Sequence, residues 1–226
     1  MTDILWRGAV PVSARHDDPY FSLDDGLAET RAVYLDGCGL PERFRPGFVL
    51  AELGTGACLA LAAALNAWRA SGTPGPLRYQ GFEASPLPAA AIARALAPFA
   101  DIAAEAAAIA AAWDGALAGA GGTLRLSLPD LDAAIALGDA RETLPRWDGR
   151  ADAWFLDGFA PARNPDLWEP ALLAAVAGRT APGGRLATYT AAGHVRRALS
   201  DAGLTVERVP GWGRKRHMTR AWKTTR

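Results

Sequence analysis

The chain has 226 residues and a mass of 23.7 kDa; half of its residues are hydrophobic and 21% are charged. That is one domain's worth of sequence with enough apolar material for a core, and 24 Lys+Arg against 24 Asp+Glu leave no net field toward nucleic acid or membrane. Two cysteines, Cys38 and Cys58, are too few for a disulfide framework or a four-ligand zinc site. No apolar run is long enough to span a bilayer, and the first eleven residues lack a signal-peptide pattern. The expectation is a soluble, cytoplasmic, reduced protein without metal or membrane.

In chain order, residues 1–45 lack a clear period and are expected to form a cap or hairpin over one sheet edge. Residues 46–226 form the main domain. Phe48 to Leu53 is a short apolar run that ends at glycines, which predicts a buried strand. A helix is expected over 58–70, a second strand over 77–83 and a helix after Pro88. The Ala-rich stretch 89–120 keeps Ile92, Leu96, Phe99, Ile102, Ile109, Trp113 and Leu117 near helical spacing, so it reads as helix. Strands follow over 124–128, 131–137 and 152–157, then a helix over 168–178. Residues 185–189 and 204–209 are strands flanking a helix over 193–202, and Gly183-Gly184 marks a turn into the first of them. Such alternation predicts an α/β fold with a mostly parallel sheet covered by helices on both faces. The charge balance is uneven along the chain. Residues 211–226 hold six basic side chains (Arg214, Lys215, Arg216, Arg220, Lys223, Arg226) and no acidic one, so 18 basic face 24 acidic residues elsewhere. A basic tip on an acidic body suits local contact with a polyanion, or is a solvated terminal segment.

Ligands of open parallel sheets bind beyond the carboxyl ends of the strands, near the switch in strand order. Four strand ends carry suitable groups. The first is Glu52-Leu53-Gly54-Thr55-Gly56, where glycines permit close backbone approach to a ligand or simply turn the chain into the next helix. Glu83 ends the second strand, placed to accept hydrogen bonds from ribose hydroxyls or merely solvated. Gly138-Asp139 offers a partner for an adenine amine or an N-cap for the helix from Ala140. Asp157 emerges from a strongly apolar strand and is followed by Gly158, Phe159, Ala160 and Pro161. A carboxylate there is costly unless something binds it. Two nucleotide readings result, a nicotinamide dehydrogenase and an S-adenosylmethionine methyltransferase. The absent third glycine (Leu59 stands in its place) and the Asp157 loop both favour the methyltransferase.

The segment from Asp152 to Trp168, with Asp157-Gly158-Phe159-Ala160-Pro161 and Asn164-Pro165 at its heart, closely resembles the signature of the MnmC-like tRNA methyltransferases. Supporting stretches are Tyr20 to Arg31, Phe82 to Leu87 and Gly211 to Met218, in the family's order over nearly the whole chain. Two departures are visible: the loop Glu52 to Gly56 is two residues shorter than the family's usual form, and Gly37-Cys38 stands where Gly-Asn is usual. The resemblance implies a Rossmann-like, class I fold that binds S-adenosylmethionine. It also implies N-methylation of the aminomethyl group of 5-aminomethyl-(2-thio)uridine at the tRNA wobble position. The family's bifunctional members carry a further flavin oxidoreductase domain, so this chain looks like a stand-alone methyltransferase.

On this resemblance Asp157 is the residue expected to hold the amine. Glu52, Gly54, Gly56, Glu83 and Asp139 are expected at the methyl donor, with Asp25 and Glu29 closing its site. Phe159, Pro161, Tyr20 and Phe21 are expected to shape the pocket for the base, and Arg214, Lys215 and Arg216 to meet phosphates of the anticodon loop. The histidines His16, His194 and His217 show no catalytic pairing and read as surface or structural. Alternatives are methyl transfer to another amine or RNA, and an RNA-binding module that has lost the donor.

Overall fold

Residues 4–225 are described by a computed structural model; Arg226 of the basic run lies outside them. The sheet grows from the apolar run that begins the main domain, which forms β4 (Val49–Leu53). Its partners are β5 (Leu77–Glu83) on one side and β8 (Ala151–Leu156) on the other, both parallel. β7 (Leu131–Leu137) extends the parallel set beyond β5, and β9 (Thr180–Thr188) extends it beyond β8. Antiparallel strands finish both ends: β6 (Thr123–Leu128) beside β7, and β11 (His217–Trp222) between β9 and β10 (Thr205–Pro210). The result is an eight-stranded sheet of order β10-β11-β9-β8-β4-β5-β7-β6.

β8 shows why these runs read as continuous apolar stretches. Ala153 and Phe155 face one layer of the core, Trp154 and Leu156 the other, and all four are completely buried. A strand covered on both faces has no polar side to betray its period. The first layer holds α3 (Leu59–Ser71), α4 (Ala89–Leu96) and α5 (Ala103–Ala118). The second holds α6 (Ala140–Arg146), α7 (Pro170–Gly178) and α8 (Gly193–Asp201).

Several details differ from expectation. The long Ala-rich helix is two helices, separated by a 3-10 turn (Ala100–Ile102) after Pro98, whose ring denies the helix a donor. Gly183-Gly184 lies within β9, at an irregular register opposite β8, instead of starting the strand. β11 has no counterpart among the expected strands, because His217, Thr219 and Arg220 make it look like part of the basic tip. Its buried Met218, Thr219 and Ala221 nevertheless insert it into the sheet, and the Thr219 hydroxyl is satisfied by donating to Thr190 O at 2.7 Å.

The segment expected to cover a sheet edge divides in two. β1 (Ile4–Arg7), β2 (Val10–Ser13) and β3 (Asp18–Pro19) form a small separate antiparallel sheet. Next, α1 (Gly26–Thr30), a π-helical turn (Arg31–Leu35) and α2 (Asp36–Cys38) pack into the first core layer through Leu27, Val33, Tyr34 and Cys38. That stretch lies on a sheet face, because its apolar side chains have the main core within reach.

Candidate active site

After β4 the chain moves outward through β5 and β7, then returns to place β8 on the other side of β4. The carboxyl ends of β4 and β8 are therefore neighbours across the switch in strand order, with Leu53 paired to Leu156. A cavity of about 1080 Å³ opens there.

The β4 end supplies a loop built for close approach. Gly54 (φ +81°) and Gly56 (φ +51°) take the left-handed conformations that favour glycine. A side chain at Gly54 would collide with the Asp157 carbonyl. Glu83, at the end of β5, lines the cavity and accepts the Gly56 and Ser85 amides at 2.8 Å each. Each of its oxygens accepts one of these amides and keeps a second acceptor position. Burial raises its pKa, while those amides pull it down. Glu52 is almost fully buried below the loop and accepts from the Tyr79 hydroxyl, which also contacts Thr55 Oγ1 at 3.2 Å. Burial pushes its carboxyl well above the ordinary range, and Asp157 adds to the effect. Asp139 lines the cavity and caps α6 through the Arg141 amide, 2.8 Å away. It also pairs with the Arg141 guanidinium, which lowers its pKa. Of the two readings open for Asp139, the N-cap is observed, on a residue that also lines the cavity. The loop thus offers backbone open to close approach, and Glu83 keeps an acceptor position on each oxygen.

The β8 end supplies the chemical group. Asp157 is half-buried on the cavity wall, and its Oδ1 accepts the Gly158 amide at 2.8 Å. Burial pushes its pKa up to about 7, against the lowering effects of the Tyr34 hydroxyl, that amide and Lys215. The loop after it is pinned on three sides. Tyr189 donates to Gly158 O at 2.8 Å, Trp168 Nε1 to Phe159 O at 2.9 Å, and the Ala160 amide to Asp18 at 2.8 Å. Phe159 forms an aromatic wall with Tyr20, edge-on at 5.0 Å, and His16, stacked at 4.7 Å.

The expected residues do not all converge on the cavity. Glu52, Gly54, Gly56, Glu83, Asp139, Asp157, Phe159, Tyr20 and Phe21 line it. Asp25 does not: it caps α1, accepting the Ala28 amide at 2.9 Å. Glu29 is also off the cavity wall and pairs with Lys215 at 2.7 Å. Lys215 is thus ion-paired to a buried carboxylate, while its own side chain stays 43% exposed. Arg214 is 90% exposed, with Asp24 at 3.4 Å, and Arg216 is exposed. Pro161 is half-buried but not part of the wall. His16, expected in a surface or structural role, lines the open cavity and stacks on Phe159, a position that the small N-terminal sheet creates. Tyr34 and Tyr189 carry no sequence signal; folding alone brings them to Asp157. Among the described residues no group of His, Cys, Asp or Glu is arranged to hold a metal, and no helix is long and apolar enough to cross a membrane.

Residues 102–224 match the family model for S-adenosyl-L-methionine-dependent methyltransferases. The chain is 49% identical over 226 residues to the tRNA 5-methylaminomethyl-2-thiouridine biosynthesis bifunctional protein MnmC of Caulobacter vibrioides, covering 97% of this chain and 38% of that protein. The protein of the same name from Chromohalobacter salexigens is 44% identical, covering 96% of this chain and 32% of that one. The chain thus spans less than two fifths of the length of these curated relatives. The crystal structure of MNMC2 from Aquifex aeolicus shares the fold, with a TM-score of 0.73 at 23% identity over 96% of this chain and 67% of that one. The nicotinamide reading is set aside by the family match. By the match over residues 102–224, more than half of its length, the chain belongs to the S-adenosyl-L-methionine-dependent methyltransferases.

Proposed function

We propose that the chain methylates the aminomethyl nitrogen of 5-aminomethyl-(2-thio)uridine at the wobble position of tRNA, giving the 5-methylaminomethyl nucleoside. The observation that carries this reading is the contact between the glycine loop and Asp157, which sets an acid of pKa about 7 directly against the donor site. Support also comes from identity of 38–49% to proteins named for that nucleoside's biosynthesis.

Held by Gly54, Gly56 and Glu83, the donor supplies an electrophilic methyl group. The chain's own residues have two tasks. The first is alignment. Asp157 accepts a hydrogen bond from the amine, and this turns the nitrogen lone pair toward the donor; positioning of this kind is worth roughly 7–11 kcal/mol in favourable systems. The second is proton removal, since an alkylammonium has no lone pair to give. An acid that titrates near neutrality takes and releases such a proton readily. Phe159, Tyr20 and His16 offer the faces on which a base from a single-stranded loop stacks. The anticodon loop is the partner this wall suits, and the exposed Arg214 and Arg216 are the side chains proposed to meet its phosphates.

The test is transfer of a labelled methyl group from S-adenosylmethionine to tRNA carrying the aminomethyl group. One label per tRNA, found in the wobble nucleoside on mass analysis, is the expected result. Label on another nucleoside, or none on tRNA, overturns it.

A further inference from the structure

Of the three consecutive basic residues in the turn between β10 and β11, Lys215 is the one tied to a buried carboxylate, with its own side chain 43% exposed. Its Nζ lies 2.7 Å from Glu29 Oε1 and 4.1 Å from the centre of the Tyr189 ring. The Tyr189 hydroxyl holds Gly158 O at 2.8 Å, and the Gly158 amide holds Asp157 at 2.8 Å. An unbroken set of contacts therefore runs from the Lys215 ammonium to the carboxylate at the cavity wall. Glu29 is buried on α1, with a side chain 11% exposed, which fixes the ammonium in place. A lysine tied to a buried carboxylate and an aromatic face is poorly disposed to reach for phosphate.

We infer that Lys215 is a positioning residue whose fixed positive charge makes the acceptor amine arrive at Asp157 as its free base. The inference rests on the amine acceptor proposed above. An ordinary alkylammonium has a pKa of about 10.4 and would enter a carboxylate site as a cation. A second cation beside the same carboxylate disfavours that charged form, the effect that lowers the pKa of one amine beside another cationic group. The ammonium proton is left to solvent as the amine enters, and the neutral amine then donates a hydrogen bond to the Asp157 carboxylate. The groups facing Asp157 are Tyr34 from the π-helical turn, Glu29 from α1, Glu52 from β4, Tyr189 from the end of β9 and Lys215 from the turn. Lys215 is the cation of this group. The carboxylates at Glu29 and Glu52 push the other way, so removing Glu29 and removing Lys215 have opposite consequences.

The experiment compares Lys215→Met, Lys215→Arg and Glu29→Gln with the unaltered chain. Two quantities are read: the pH profile of single-turnover methyl transfer to aminomethyl tRNA, and the Asp157 carboxyl titration by carbon NMR without donor or tRNA. The carboxyl signal is assigned by its loss in Asp157→Asn. In Lys215→Met both midpoints move up by about half a unit to one unit, and transfer recovers at high pH. In Glu29→Gln both move down, while Lys215→Arg stays near the original values. A Lys215→Met protein that is slower at every pH, with both midpoints unmoved, overturns the inference and marks Lys215 as a structural tether or an RNA contact. Failure of the unaltered chain to methylate aminomethyl tRNA counts instead against the acceptor reading itself.

Discussion

Gly54 lies directly against the main-chain carbonyl of Asp157, with no room for a methyl group between them. The loop proposed to approach the methyl donor and the loop proposed to hold the acceptor thus touch through backbone. Their spacing is set by β4 and β8 lying side by side at the switch in strand order.

A side chain at Gly54 tests that contact. Gly54→Ala forces a left-handed residue (φ +81°) and pushes the two loops apart. The expected cost is about 1–3 kcal/mol of stability, together with a drop in donor affinity of about tenfold or more. Calorimetric titration with S-adenosylmethionine and denaturant unfolding measure the two effects. A variant that binds the donor normally would show that the loops move independently.

The raised pKa of Asp157 has a consequence for stability. Its ordinary value is 3.8 and its folded value about 7, so the folded state holds the proton more tightly than the unfolded one. Stability is therefore lost as pH rises from about 4 to 7, and the ionised acid is a burden above that. Asp157→Asn removes the burden. With allowance for screening by the open cavity, the variant is expected to be about 1–2 kcal/mol more stable than the parent at pH 8. The difference should shrink toward zero by pH 4. Urea unfolding across this range checks the sign.

Two fully buried tryptophans separate packing from hydrogen bonding. Trp113 Nε1 donates to Leu87 O at 2.7 Å, whereas Trp154 Nε1 has no partner among the described residues. Trp113→Phe loses ring volume and a hydrogen bond, at about 2–3 kcal/mol. Trp154→Phe also loses volume but relieves an unsatisfied donor, so it should cost no more than about 1 kcal/mol. Equal losses in thermal unfolding would mean that the Trp154 ring is satisfied in solution.

Replacing Arg214 and Arg216 together with Ala should weaken tRNA binding and flatten its salt dependence, by a slope of about 0.7–0.9 for each phosphate that is no longer neutralised. Both side chains are exposed, Arg214 with the exposed Asp24 at 3.4 Å to compete with a polyanion. Binding isotherms at several salt concentrations give the slope, and an unchanged slope would put the RNA on another surface.

How much of this is legible before folding depends on whether the determinant is local. The runs that become β4, β7 and β8 are apolar over most of their length, β5 alternates in part, and glycines or acids mark all four ends, so the glycine loop and Asp157 stand out. The Ala-rich helix is legible in type but not in its break, because the apolar spacing continues past Pro98. β11 is hidden since its polar residues are satisfied only by neighbours such as Thr190. Lys215 shows the limit most clearly. Its sequence context is a basic run, yet its direction is decided by Glu29, 186 residues earlier. His16, Tyr34 and Tyr189 likewise acquire meaning only when distant segments meet at the Asp157 loop.

In the proposed reaction Asp157 acts on the acceptor and not on the donor. Single-turnover methyl transfer by Asp157→Asn, with S-adenosylmethionine affinity measured on the same protein, tests this directly. The rate should fall about 100- to 10,000-fold while donor affinity stays within a few-fold of the parent. Transfer at near-parental rate, or a loss explained entirely by weakened donor binding, would contradict it.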